Sequence, residues 1–148
     1  LAAPLRLARL LHATRAAAPA AGAPAVVINL LDQKLDNPNP DFLSYTLTKA
    51  ALQHATRLLA MAFAPHLRVV GVSPGITLLS GDQTPDGFEK AHRMTPLGRS
   101  STPRDIADAV RFLADSPAIT GVTLTVDGGQ HLLALPRDVM YLTGDTPP

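Results

Sequence analysis

The 148-residue sequence predicts an α/β fold with a parallel sheet, on three observations. Three short runs rich in β-branched residues read as strands, helix-period patterns lie between them, and each run stops at turn-forming residues (Asp32, Pro74-Gly75, Asp127-Gly128-Gly129). Strands joined through helices imply right-handed crossovers and parallel neighbours.

The first element is a helix over Leu1–Arg15. Leucines and alanines recur there at three- and four-residue spacing, which leaves Arg6, Arg9 and His12 to face water. The chain starts inside this amphipathic pattern, which predicts a preceding segment. The Ala/Pro/Gly stretch Ala16–Ala25 reads as a surface loop, without a domain boundary. Ala25–Leu31 is a continuous apolar run, as expected of a strand buried on both faces. After the proline-marked loop Asn37–Pro40, Asp41 is placed to cap a long helix carrying Leu43, Leu47, Ala50, Ala51, Leu58 and Met61, which stops before Pro65.

Leu67–Ser73 forms the second predicted strand, closed by Pro74-Gly75. Thr102 caps a helix with Pro103 in its first turn and Ile106, Ala109, Val110 and Leu113 on its buried face. Gly121–Val126 alternates into the third strand. Three strands leave a raw sheet edge, so partners from an upstream segment are expected. Residues 1–148 are read as a single partial domain with a tail at Ala134–Pro148, placed either against a neighbouring subunit or fraying.

Composition excludes several function classes. Thirteen basic residues against twelve acidic ones leave a formal charge of +1, and the scattered arginines form no stripe that could follow phosphates, which argues against nucleic acid. The absence of cysteine removes disulfides and thiolate chemistry and fits a cytoplasmic protein. No apolar run approaches a membrane span. His12, His54, His66, His92 and His131 show no metal-ligand spacing, and no metal site is expected. Ser44 lacks the Gly-x-Ser-x-Gly elbow of a hydrolase nucleophile.

Tyr45-Thr-Leu-Thr-Lys49 puts a phenol and an ammonium four residues apart on one helix face. A nearby ammonium favours phenolate and would bring the tyrosine pKa down from about 10 toward working pH, as a general acid/base requires. By itself the pair is common. Its setting is more specific, because Asp32 ends a buried strand, where open α/β sheets bind their ligands.

With these residues the sequence resembles the short-chain dehydrogenase/reductase family from Leu1 to about Leu133. The resemblance includes the Tyr-x-x-x-Lys pair, Leu58–Pro65, Arg68-Val69, Ser73-Pro-Gly75, Pro96-Leu-Gly-Arg99, Asp105-Ile-Ala107, Ile119-Thr-Gly121 and Val126-Asp-Gly-Gly129. It implies the C-terminal part of a Rossmann-type doubly wound parallel sheet. It also implies catalytic roles for Asp32, Tyr45 and Lys49: Tyr45 as proton donor, Lys49 on the nicotinamide ribose and lowering the tyrosine pKa. Tyr45, Lys49, Pro74, Gly75, Ile76 and Thr77 would bind the cofactor, and Gly75 would permit close approach of the nicotinamide amide.

Two departures from the family pattern shape the functional expectation. The family's serine is replaced by Asp32, which is similar to the pteridine reductases, as are Gly75-Ile-Thr77 and Gly129-Gln130-His131-Leu132. A carboxyl group can deliver a proton to a ring nitrogen when hydride enters the adjacent C=N carbon; the alternative use of Asp32 is to cap local backbone. Second, these residues contain no glycine-rich pyrophosphate loop, which the resemblance assigns to an upstream half. The chain alone is therefore expected to lack turnover.

The expected function is that of an NADP(H)-dependent reductase, NADP(H) favoured over NAD(H), acting on a pterin-like small molecule as a homodimer or homotetramer. Alternatives are a carbonyl or alcohol oxidoreductase, and a non-catalytic homologue that serves as an oligomerisation module.

Overall fold

A computed structural model of the chain describes residues 1–17, 23–81 and 83–144. Half of the predicted Ala16–Ala25 loop, residues 18–22, lies outside the described residues, as do residues 145–148 of the tail. The elements run α1 (Ala2–Ala17), β1 (Ala25–Leu30), α2 (Leu43–Phe63), β2 (Leu67–Pro74), α3 (Pro85–Arg93), α4 (Pro103–Ala114) and β3 (Thr123–Val126), with single 3₁₀ turns at Gln33–Leu35, Gln130–Leu132 and Val139–Tyr141. The three strands form one parallel sheet in the order β1-β2-β3.

β2 is the central strand, and the alternation of its side chains builds both layers of the core. Leu67 and Val69 face one side, where Ala60, Leu59 and Phe63 of α2 and Leu11 of α1 pack on them. Val70 and Val72 face the other, against Leu113, Ile106 and Val110 of α4. Arg68 sits on this second face and is 6% exposed. Its guanidinium donates to Leu113 O and Ala114 O, carbonyls that the end of α4 leaves unpaired, and to Ile119 O of the following loop, at 2.9–3.0 Å.

Four sequence expectations are corrected. β1 is only half-buried, because it pairs with β2 alone. β3 begins at Thr123, since Gly121 takes a left-handed φ of 70° and its N–H donates to Val69 O instead. His12 is only partly exposed: it stacks on Phe63 with ring centroids 4.4 Å apart. The two crossovers step the same way across the sheet, yet α2 and α4 lie on opposite faces. They therefore have opposite hand, and one departs from the right-handed rule.

The helix from Thr102 forms as expected, with a reciprocal capping box between Thr102 and Asp105 and proline in its first turn. α3 is an element that sequence periodicity did not single out. Thr84 caps it by accepting from Gly87 N–H, and Pro85 opens it.

Candidate functional site

The carboxyl ends of β1 and β2 open on one side of the molecule into a cleft of about 550 Å³. Parallel sheets place their ligand sites at this edge, where loops leave the strands. β1 delivers Asp32 here, because Leu31 N–H is still held by Val72 O at 2.7 Å. β2 delivers Pro74 and Gly75, the latter tied by its N–H to Val126 O at 3.0 Å. α2 brings Tyr45 in its first turn. The helix is docked on β1 by two polar contacts: buried Asn29 Nδ2 donates to Thr56 Oγ1 at 2.9 Å, and Lys49 Nζ donates to Leu30 O at 2.7 Å.

Asp32 uses its two carboxylate oxygens for different tasks. Oδ1 accepts from the Lys34 main-chain N–H at 2.9 Å, which caps the Gln33–Leu35 turn. Oδ2 accepts from the Tyr45 hydroxyl at 2.7 Å. Backbone capping, one of the two uses expected of Asp32 from the sequence, coexists in one side chain with a contact to the phenol.

The direction of the Tyr45 pKa is opposite to the sequence expectation. Partial withdrawal of its hydroxyl from water pushes it well above the ordinary tyrosine range, and the hydrogen bond and charge of Asp32, then the charge of Asp138, push the same way. Lys49 does not offset this. Its ammonium is committed to Leu30 O and lies 5.6 Å from the centroid of the Tyr45 ring rather than at the hydroxyl.

Pro74, Gly75, Ile76 and Thr77 all line the cleft with Asp32 and Tyr45. Their main chain is partly engaged within the protein: Ile76 N–H donates to Gln130 Oε1 at 3.2 Å, and Thr77 Oγ1 bonds Gly75 O and Ser101 Oγ at 2.9 and 2.7 Å. Gly75 also has a packing reason to lack a side chain. A Cβ there would lie 2.5 Å from Ser100 Oγ and 2.7 Å from Asp127 Cβ, so the missing side chain permits internal packing. Gln130 is itself held by the following turn, in which Asp127 accepts from Gly129 N–H and His131 N–H at 2.9 and 2.7 Å.

Asp41 does not cap α2. The helix starts at Leu43 after Phe42, whose φ of 56° is left-handed, and the Asp41 carboxylate turns to the tail instead. It accepts from Arg137 Nε at 2.9 Å and from Asp138 N–H at 2.6 Å, and Arg137 holds its pKa below the usual carboxylate range. The described part of the tail packs on its own chain: Asp138, Val139 and Met140 line the cleft. Lys34 and Asp138 escape sequence reasoning, because their ion pair joins residues 104 positions apart and neither stands in a recognisable motif.

Among the described residues, no three His, Asp or Glu side chains gather as metal ligands, and no helix is long and apolar enough to cross a membrane.

Fold and site together define an α/β protein with a small-molecule cleft at the carboxyl edge of a parallel sheet, bordered by a Tyr-x-x-x-Lys helix. Residues 5–131 match the family model described as Enoyl-(Acyl carrier protein) reductase. The chain belongs to the short-chain dehydrogenase/reductase family.

It is 36% identical over 110 residues to Pteridine reductase 1 of Leishmania tarentolae, covering 72% of this chain and 38% of that protein. It is 35% identical over 111 residues to the Granaticin polyketide synthase putative ketoacyl reductase 2 of Streptomyces violaceoruber, covering 72% of this chain and 45% of that one. Among solved structures, FolM Alternative dihydrofolate reductase 1 from Brucella suis in complex with NADP superposes with a TM-score of 0.81 at 41% identity, covering 90% of this chain and 52% of that chain. The chain spans about half or less of the length of these relatives.

Proposed function

We propose that this chain carries the proton-transfer part of an NADP(H)-dependent reductase that acts on a pterin-like C=N substrate. The observation that carries the reading is the 2.7 Å hydrogen bond from the Tyr45 hydroxyl to Asp32 Oδ2 at the wall of the cleft. The likeness to Pteridine reductase 1 and to the NADP complex of FolM supports the same substrate class and cofactor.

The residues fit the nicotinamide end of such a cofactor. The cleft volume lies within the range of small-molecule sites, and Leu31, Phe42, Ile76 and Val139 provide apolar lining for flat rings. Tyr45, Lys49 and Pro74–Thr77 would hold that end; Leu30 O engages one of the three donors an ammonium carries. When bound, NADP(H) supplies the hydride that reduces the C=N carbon.

The chain's own residues supply the proton that the ring nitrogen takes up. Tyr45, with its pKa raised, stays protonated at neutral pH and rests as a donor. Asp32 aims that hydroxyl and, in its acid form, is a second donor to a ring nitrogen. The raised pKa leaves little phenolate at neutral pH and also makes the phenol a weaker acid, so by itself it favours neither direction of the reaction.

The test is to assay the full-length protein with NADPH and NADH against a dihydropterin and a panel of ketones. Dihydropterin turnover with NADPH preferred is expected. Exclusive ketone turnover would overturn the substrate class in favour of the carbonyl chemistry named for the ketoacyl reductase relative.

A further inference from the structure

The turn that carries Asp32 is fastened to the C-terminal segment by a buried cation. Lys34 is 3% exposed, and a buried ammonium is costly unless it is paired and hydrogen-bonded. Its Nζ donates to Asn39 Oδ1 and, at 3.0 Å, to Asp138 Oδ2, and it lies 5.3 Å from the centroid of the Phe42 ring. The main-chain N–H of the same residue donates to Asp32 Oδ1. One residue therefore touches the reactive carboxylate with its backbone and the tail with its side chain.

Asp138 is held from three further directions. Its N–H donates to Asp41 Oδ2 at 2.6 Å, its Oδ1 accepts from Met140 N–H at 3.2 Å, and the adjacent Arg137 pairs with Asp41 at 2.9 Å. Tyr141 stacks on Phe42 with centroids 5.9 Å apart, and the Arg137 guanidinium lies 4.7 Å from the Tyr141 ring centroid. The segment so fastened places Asp138, Val139 and Met140 in the wall of the cleft that Asp32 and Tyr45 also line.

We propose that Lys34 is a positioning residue: clasped to Asp138, it holds the Arg137–Leu142 segment closed against the cleft and, through its backbone, orients the Asp32 carboxylate for proton transfer. The effect on turnover rests on the proposed reductase reading. The clasp itself rests on the geometry alone. Losing either partner leaves the other charge partly buried and unpaired, which favours an open segment. A mispositioned Asp32 then costs rate even when substrate is bound, because misplacements of about 1 Å lower turnover by up to about a hundred-fold.

The experiment uses the full-length protein with Lys34→Met, Asp138→Asn and the double variant, and reads both amide hydrogen exchange over residues 137–142 and steady-state kinetics with a dihydropterin. Each single variant is expected to raise exchange in that segment and to lower kcat about ten-fold or more at saturating substrate, with a smaller rise in KM. The double variant should be no worse than the worse single, because the two side chains act as one unit. Unchanged exchange, additive losses, or a lowered Tm with kcat intact would overturn the proposal. If Lys34→Met does not fold, Asp138→Asn decides alone, since it keeps the shape of the side chain while removing its charge and one acceptor oxygen. A wild-type protein inactive on dihydropterins would sink the reductase reading, and the exchange measurement would still decide the clasp.

Discussion

The Tyr45 hydroxyl donates to Asp32 Oδ2 at 2.7 Å, while Lys49, one helical turn away, spends its nearest contact on Leu30 O. The phenol is therefore governed by a carboxylate instead of an ammonium. Partial burial of the hydroxyl raises its pKa and this carboxylate pushes the same way, opposite to the effect expected from Lys49, so the phenol keeps its proton.

Tyr45→Phe removes the donor and little else, since the side chain is 44% exposed and packs on no core cluster. The expected result is a fall in kcat of about 10²- to 10⁴-fold, with circular dichroism unchanged and only a small loss of Tm from the missing hydrogen bond, measured on the full-length protein with dihydropterin.

Asp32→Asn removes the charge that raises the Tyr45 pKa, so the phenol should ionise at lower pH than in wild type while staying above its ordinary range, because its burial remains. Phenolate absorbance followed by pH titration reads this, with Tyr45→Phe identifying the transition. An unchanged or higher midpoint would contradict the site geometry.

The same pKa gives a stability prediction. Unfolded tyrosine ionises near pH 10, whereas folded Tyr45 holds its proton to higher pH. The contribution of Tyr45 is thus fully present below about pH 10 and is lost as pH rises through the folded value. Denaturant unfolding between pH 9 and the alkaline limit should show a decline that is shallower in Tyr45→Phe.

Gly75→Ala separates two roles for that glycine. A Cβ would meet Ser100 Oγ and Asp127 Cβ within 2.5–2.7 Å, an overpacking expected to cost about 1–3 kcal/mol. A clear drop in Tm supports the packing role. A raised KM for NADPH at unchanged Tm would restore the expectation of close cofactor approach.

Thr102→Ala breaks the capping box of α4. The expected loss is about 1 kcal/mol, seen as a Tm lower by a few degrees with kcat intact, because α4 packs on the face of the sheet through Leu113, Ile106 and Val110 and brings no residue to the cleft.

Much of the fold was legible because local pattern and burial agree. β2 alternates between two packed helical layers, so its apolar run reads directly as a central strand. The Thr102-Pro103 start of α4 is equally plain, since capping depends on residues within one turn. The positions of Tyr45, Asp32 and Pro74–Thr77 on one cleft follow from strand ends and helix spacing. The hand of the second crossover was not legible, because helix periodicity does not say which face of the sheet the helix covers.

The sequence by itself determined the family, the three parallel strands and the motif residues Asp32, Tyr45 and Pro74–Thr77 of the cleft, because these rest on local periodicity and on motifs contiguous in the chain. Only the tertiary structure decided how those residues are used. Asp41 leaves its expected cap for Arg137, Lys34 pairs with Asp138 across 104 positions, and Gly75 makes room for Ser100 and Asp127. Such contacts depend on where distant segments meet, and a side-chain charge a few ångströms away outweighs one that is merely close in sequence.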